Sequence, residues 1–177
     1  MRMAWLVGLG LAMAACGGND AAECTGTGCV CANTDCSCTA GADCKTSCGD
    51  LDCSLACTSA AKCEGNTDGA LMLACNDSSQ CKGAGGDHSS VSCNAMSNCD
   101  FKLGASAAVA CNMSSTCKIQ VGGASTIACS DSASCNIKCD TDCKATCTGS
   151  SECAVTCGAA ATPATTCAPG VFACGSC

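Results

Sequence analysis

The chain has 177 residues, of which 27 are cysteine, two are phenylalanine and none is tyrosine, and its formal net charge is −7. So few large apolar side chains exclude a wide hydrophobic core, and any fold must be thin and covalently stapled. The acidic balance excludes nucleic acid and anionic membrane surfaces as electrostatic partners.

Residues 1–15 read M-R-M-A-W-L-V-G-L-G-L-A-M-A-A. Arg2 gives a positive start, Ala4 to Ala12 an apolar run, and Ala14-Ala15 the small residues before Cys16. This layout predicts an export signal, because the run is too short to cross a bilayer as a helix. A cysteine after small residues resembles the lipobox of bacterial lipoproteins, with Met13 where leucine is usual. The resemblance implies cleavage before Cys16, lipid on its thiol, and attachment to a membrane through that lipid. The alternative is an ordinary secretory signal cut elsewhere. Loss of residues 1–15 removes Arg2 and Trp5 and leaves seven lysines against fifteen acids, a formal charge of −8. Committing Cys16 to lipid leaves 26 cysteines, which can all pair in an oxidising compartment. Residues 16–23 then form the lipidated cysteine and a small, polar tether. Gly17, rather than aspartate, points to the outer membrane or cell surface.

Residues 24–37 carry Cys24, Cys29, Cys31 and Cys36 and read as a cysteine-rich cap. From residue 38 to 164 the chain repeats. With Cys111 as position 0, a C-x5-C pair recurs every eighteen residues at Cys57/Cys63, Cys75/Cys81, Cys93/Cys99, Cys111/Cys117, Cys129/Cys135 and Cys147/Cys153. Cys38/Cys44 precedes them by nineteen. Apolar residues and cysteines fill positions 6-8-10 and 14-16-18. Position 8 holds Thr46, Gly65, Gly83, Phe101, Ile119, Ile137 and Val155, and position 16 holds Leu55, Leu73, Val91, Val109, Ile127, Ala145 and Pro163. Both runs have period two, which predicts two short strands per repeat with one face buried. Stretches such as N-M-S-S-T and G-G-A between them read as turns.

Stacked units of this kind predict an all-β, disulfide-laddered β-solenoid of about seven coils. At one strand spacing per coil the rod is about 30–35 Å long. Strands facing each other across a narrow interior bring position 0 to 6, 8 to 16, and 10 to 14. The cysteines obey this pairing. It predicts nine bonds within coils: Cys38–Cys44, Cys48–Cys53, Cys57–Cys63, Cys75–Cys81, Cys93–Cys99, Cys111–Cys117, Cys129–Cys135, Cys139–Cys143 and Cys147–Cys153. Residues 165–177 form a second cap. Cys157, Cys167, Cys174 and Cys177 join the four N-terminal cap cysteines, with connectivity left open at both ends.

The half-coils C-T-S-A-A-K-C (57–63), C-N-M-S-S-T-C (111–117) and C-T-G-S-S-E-C (147–153) resemble the bridged motif of beetle hyperactive antifreeze proteins. The resemblance covers that half-coil alone, and the repeat length differs. It implies ice binding through a flat array of small outward residues. Outward positions 15 and 17 hold Ser54/Ala56, Met72/Ala74, Ser90/Ser92, Ala108/Ala110, Thr126/Ala128, Lys144/Thr146 and Thr162/Ala164, an irregular set broken by Lys144.

Other candidates for chemistry fare no better. C-V-C (29–31), C-S-C (36–38) and G-S-C (175–177) echo thiolate clusters for soft metals, yet an aliphatic period-two interior has no place in such a chain. Cys174-Gly-Ser-Cys177 lacks the βαβ context of a redox motif. Asp87-His88-Ser89-Ser90 contains triad residue types in a turn without an oxyanion scaffold. Asn76, Asn94 and Asn112 share position 1 and predict a stacked amide ladder. Lys45, Glu64, Lys82, Asp100, Lys102, Lys118 and Lys138 lie at positions 7 and 9 and predict a solvated charged face. No catalytic residue, cofactor or metal site is therefore assigned. The sequence points to a non-enzymatic extracytoplasmic lipoprotein with a structural or binding role, its protein or surface ligand unassigned. A soft-metal-binding or thiol-redox lipoprotein is the alternative.

Overall fold

A computed structural model describes residues 21–177. Cys16, the expected export signal and most of the expected tether lie outside the described residues. Within them the chain is all-β: nineteen short strands, numbered along the chain, form two sheets. One face of the coil, sheet A, is built from β4 (Asp43–Ser47), β6 (Lys62–Asn66), β8 (Gln80–Gly85), β10 (Asn98–Leu103), β12 (Thr116–Val121), β14 (Ser134–Cys139) and β16 (Glu152–Cys157). The facing sheet B is built from β3 (Asp35–Cys38), β5 (Cys53–Cys57), β7 (Leu71–Cys75), β9 (Ser90–Cys93), β11 (Ala108–Cys111), β13 (Ser125–Cys129) and β15 (Cys143–Cys147). Neighbours within each set are parallel and in register. Cys99, Cys117 and Cys135 stack on one another, as do Phe101, Ile119 and Ile137. The solenoid is therefore shown, with an eighteen-residue coil.

Alternation makes the core. In β12 Cys117, Ile119 and Val121 are buried while Thr116 and Lys118 are exposed. Ser125, Ile127 and Cys129 of β13 are buried from the other side. The interior is two side chains thick, so bulk on one wall must meet smallness on the other. Gly65 shows this, because a Cβ there would meet Leu55, Leu71 and Leu73 at 3.2, 3.4 and 3.7 Å. Gly83 is stricter: its φ is +154° and a Cβ would run into the Gly65 carbonyl. Phe101, 2% exposed, lies next in register above Gly83.

Sulfur closes each coil at its first turn. All seven C-x5-C pairs are bonded, with Cα separations of 5.9–6.6 Å. Cys48–Cys53 and Cys139–Cys143 bridge the second turn, each with Cα atoms 6.0 Å apart. In the chain-entropy picture each six-residue loop stabilises by about 2 kcal/mol.

The first turn carries a feature that alternation alone does not announce. Positions 2 and 3 both adopt left-handed backbone, as at Ala95 (φ 52°) and Met96 (φ 60°), and at Met113 (φ 51°) and Ser114 (φ 60°). Such geometry costs L-residues roughly 1–2 kcal/mol each. It turns the peptide groups along the stack, where neighbouring coils satisfy them. Met96 N–H donates to Met113 O at 3.0 Å and Ser114 N–H to Asp131 O at 2.9 Å. Position 4 then points inward. Ala61, Ser79, Ser97, Ser115 and Ala133 are each fully buried there, and only a small side chain fits beside the disulfide.

Both ends depart from the expected boundaries at residues 38 and 164. β3 begins the parallel stack at residue 35, inside the expected N-terminal cap. The chain before it folds back: β2 (Cys29–Ala32) lies antiparallel on β3, and β1 (Glu23–Thr25) antiparallel on β4. At the other end Ala161 and Pro163 do not add the further parallel strand expected on sheet B. β17 (Thr162–Pro163) reverses onto β16 instead. Sheet B is finished by β19 (Val171–Cys174), antiparallel to β15, with β18 (Thr165–Ala168) outside it. Phe172 pairs with Ala145 and takes the place expected for Pro163. Proline lacks the N–H that a further parallel strand needs.

Two outcomes test this packing. Gly83→Ala lowers stability by about 1–3 kcal/mol, the usual cost of overpacking, whereas Gly41→Ala, where a Cβ meets nothing within 4 Å, shows only its backbone strain. Denaturant midpoints with disulfides intact measure both. Ser97 Oγ and Ser79 Oγ are buried without a hydrogen-bond partner. Replacing either with alanine, as Ala61 and Ala133 already stand in their own coils, raises the unfolding free energy by about 1 kcal/mol or more and with it the midpoint. A fall in the midpoint would show that the hydroxyl is satisfied.

Candidate functional site

The outward side chains form straight columns, because each coil repeats the last. On sheet A the middle column reads Lys45, Glu64, Lys82, Asp100 and Lys118, all in register. The signs alternate. Lys45 and Lys82 each lie 3.1 Å from a Glu64 oxygen, Lys118 lies 3.1 Å from Asp100, and Asn66 Nδ2 donates to Glu64 at 3.2 Å. The Lys45 and Lys82 ammonium groups hold the Glu64 carboxyl below its ordinary value of 4.5, against the opposing effect of burial. The flanking column brings Lys102, Gln120 and Lys138 together, and Gln120 Nε2 donates to Asp140 at 2.9 Å. A groove of about 430 Å³ runs over this face, lined by Asp43, Lys45, Lys62, Glu64, Gln80, Lys82, Asn98 and Asp100. The charged face expected from the sequence is thus a ladder of ion pairs beside an open polar groove.

Sheet B presents the small residues. Ser54/Ala56, Met72/Ala74, Ser90/Ser92, Ala108/Ala110, Thr126/Ala128 and Lys144/Thr146 stand in register on its outward face. The pair Thr162/Ala164, expected to extend that face, does not belong to it, since β17 joins sheet A. Met72 is 52% exposed and stands among these small residues. A shallow hollow of about 310 Å³ lies over Ala108, Thr126, Lys144 and Thr146.

At the first-turn edge the asparagines form the expected ladder, half-buried. Asn94 Nδ2 donates to Asn76 Oδ1 at 3.1 Å and Asn112 Nδ2 to Asn94 Oδ1 at 3.0 Å. Ser130 continues the line, donating to Asn112 Oδ1 at 2.7 Å. At the second-turn edge the triad residue types are absorbed by structure. Asp87 Oδ1 accepts from Ala105 N–H at 2.7 Å, and His88, at φ 62°, donates its N–H to Ala105 O at 2.8 Å. Ser89 is buried; its hydroxyl donates to Gly86 O at 2.7 Å and accepts from Leu71 N–H at 3.0 Å. Ser125 repeats this role two coils on, toward Gly122 O and Ala107 N–H.

The cap cysteines resolve as Cys24–Cys29, Cys31–Cys36, Cys157–Cys174 and Cys167–Cys177. Cys174 and Cys177 are not bonded to each other. Cys174 pairs in register with Cys143, so the Cys157–Cys174 bond joins the same interior places as Cys139–Cys143, with a reversed strand supplying one partner. Sulfur atoms of successive coils crowd together. Cys111, Cys129 and Cys135 lie within 4.8 Å of one another, as do Cys129, Cys147 and Cys153. Each is already spent in a disulfide, so a metal would first require reduction.

Sequence reasoning missed the inward position 4, the serine bridges at position 14 and the reversed terminal strands. Position 4 had a signal, since it holds only alanine or serine in every coil. No family, curated protein or solved structure matches this chain.

The ion-pair ladder has a pH signature. Glu64 has a depressed folded-state pKa, so its contribution is complete above its ordinary value of 4.5 and fades as pH falls through the lower folded value. Exposed pairs contribute less than about 1 kcal/mol each. Glu64→Gln therefore removes a small, salt-sensitive part of the acid-side stability loss, read from unfolding midpoints between neutral and acid pH. Identical pH profiles for the two proteins would refute the pairing.

Proposed function

We propose that this chain is a non-enzymatic lipoprotein of the cell envelope, held to the outer membrane or cell surface through lipid on Cys16, and serving as a structural or display element for a surface ligand. The observation that carries the reading is the disulfide ladder. Thirteen bonds among the described residues fit an oxidising, extracytoplasmic environment. A frame stapled at every coil holds its outward columns at fixed spacing without a large core. That suits a rod whose work is done by its faces. The grooved polar face of sheet A is the preferred contact surface, because side chains there offer both donors and acceptors along several coils. Ice binding is less favoured by the geometry, since Met72 and Lys144 interrupt the small outward residues of sheet B. A soft-metal role would need the ladder opened first.

Membrane attachment is tested by replacing Cys16 with serine in the full chain, exported with a C-terminal tag. The original protein partitions with membranes, and Cys16→Ser moves it to the soluble exported fraction. Equal membrane association of both forms would overturn the anchor.

A further inference from the structure

The first-turn sulfur column is closed at one end and half-open at the other. At the N-terminal end Cys38 and Cys44 are 3% and 1% exposed, beneath the reversed strands β1 and β2. At the C-terminal end Cys147 and Cys153 are only partly buried. β16 has only the two-residue β17 beyond it, and β17 pairs with Thr156 and Cys157, leaving Cys153 uncovered along its strand edge. The Cys147 backbone, by contrast, is tied to the C-terminal cap, its N–H donating to Gly170 O at 2.7 Å.

Behind this bond lies a second one. The sulfurs of Cys129, Cys147 and Cys153 are within 4.8 Å of one another. Cys129, 1% exposed, is bonded to Cys135, 2% exposed. Cys129 and Cys147 are also in-register neighbours on adjacent parallel strands. Such strands are about 4.8 Å apart, inside the roughly 4.4–6.8 Å of Cα separation that a disulfide accepts. A bond between them then needs only that the two Cβ atoms, about one strand spacing apart, close to the roughly 3.5–4.5 Å that a disulfide requires.

We propose that Cys153 is a covalent capture site for a small external thiol, and that Cys129 retains the captured molecule by taking up the displaced Cys147. In the first step the external thiolate attacks the Cys153 sulfur. A mixed disulfide forms on Cys153, the Cys147–Cys153 bond breaks, and Cys147 leaves as a thiolate. In the second step Cys147 attacks the Cys129 sulfur. The Cys129–Cys147 bond forms, the Cys129–Cys135 bond breaks, and Cys135 leaves as a thiolate that takes a proton. Two protein disulfides and one external thiol become one protein disulfide between coils, one mixed disulfide and one buried thiol. Electrons balance, and no outside oxidant is consumed. At an ordinary exposed disulfide the displaced cysteine attacks back and ejects the adduct. Here the displaced thiol ends at Cys135, inside the coil.

Glutathione is the probe. The oxidised full-length protein is incubated with it, quenched with N-ethylmaleimide and digested without reduction for mass spectrometry. The expected products are glutathione on Cys153, a Cys129–Cys147 cross-linked peptide, and a thiol on Cys135 that alkylates only after denaturation. Glutathione on Cys153 with an intact Cys129–Cys135 bond and an alkylated Cys147 would overturn the transfer. Adducts confined to the cap cysteines would overturn the capture site. A second measurement needs no added thiol: Cys153→Ser leaves Cys147 unpaired, and the same Cys129–Cys147 peptide and Cys135 thiol are expected. Recovery of Cys129–Cys135 unchanged in that variant would refute the second step.

Discussion

In-register stacking makes every side chain its own neighbour. A residue at a given position meets the same position of the next coil about 4.8 Å away. Each column must therefore consist of groups that tolerate themselves or alternate with a complement. Disulfides meet the first condition, being neutral, compact and apolar, and fill position 0 and position 6 throughout. Asparagine meets it differently, since one amide both donates and accepts, as Asn76, Asn94 and Asn112 do. Charge cannot repeat at this spacing without repulsion of about 1 kcal/mol in water. The middle column accordingly alternates Lys45, Glu64, Lys82, Asp100 and Lys118. Where lysines do recur, at Lys102 and Lys138, Gln120 separates them by two strand spacings, close to the screening length at physiological salt.

The ends break the rule on purpose. A parallel stack offers open strand edges to any further strand, including one from another copy. Here each sheet is finished by antiparallel strands at both ends. Reversal spoils the eighteen-residue register for anything that would add on. It also preserves the interior: Phe172 covers the last core layer and Cys174 meets Cys157. The half-exposure of Cys147 and Cys153 follows from the same ending, because β17 covers only part of the edge of β16.

The sequence disclosed what repetition amplifies. Seven copies of C-x5-C, together with matched Cys139/Cys143 and Phe101/Val109, are enough to read the coil length, the inward positions and the facing pairs. Physical features that occur once per chain were out of reach. Nothing in Thr162-Pro163 says which way the strand runs, beyond the missing proline N–H. The left-handed turns at Ala95-Met96 and Met113-Ser114 were hidden for another reason. Their residues carry no glycine or asparagine signal at those two positions. Their stability comes from hydrogen bonds to the next coil, which a local reading does not see. The candidate faces were legible as residue types, whereas the groove and the pairing of Glu64 with two lysines needed coordinates.

The small interior ties stability to sulfur, and that dependence shapes what the rod can do. A core only two side chains thick leaves the coil's closure to bonds between near neighbours. Those bonds must then be stacked, because the coils are stacked, and stacked sulfurs lie within reach of one another. The arrangement that fixes the faces at one spacing therefore also places a reactive path beneath them. Inside the column burial keeps external thiols out, so each rung is inert however close its neighbours stand. At Cys147–Cys153 that protection is partial. Among the seven C-x5-C rungs chemistry is consequently confined to the last, while the outward columns along the rod keep their spacing.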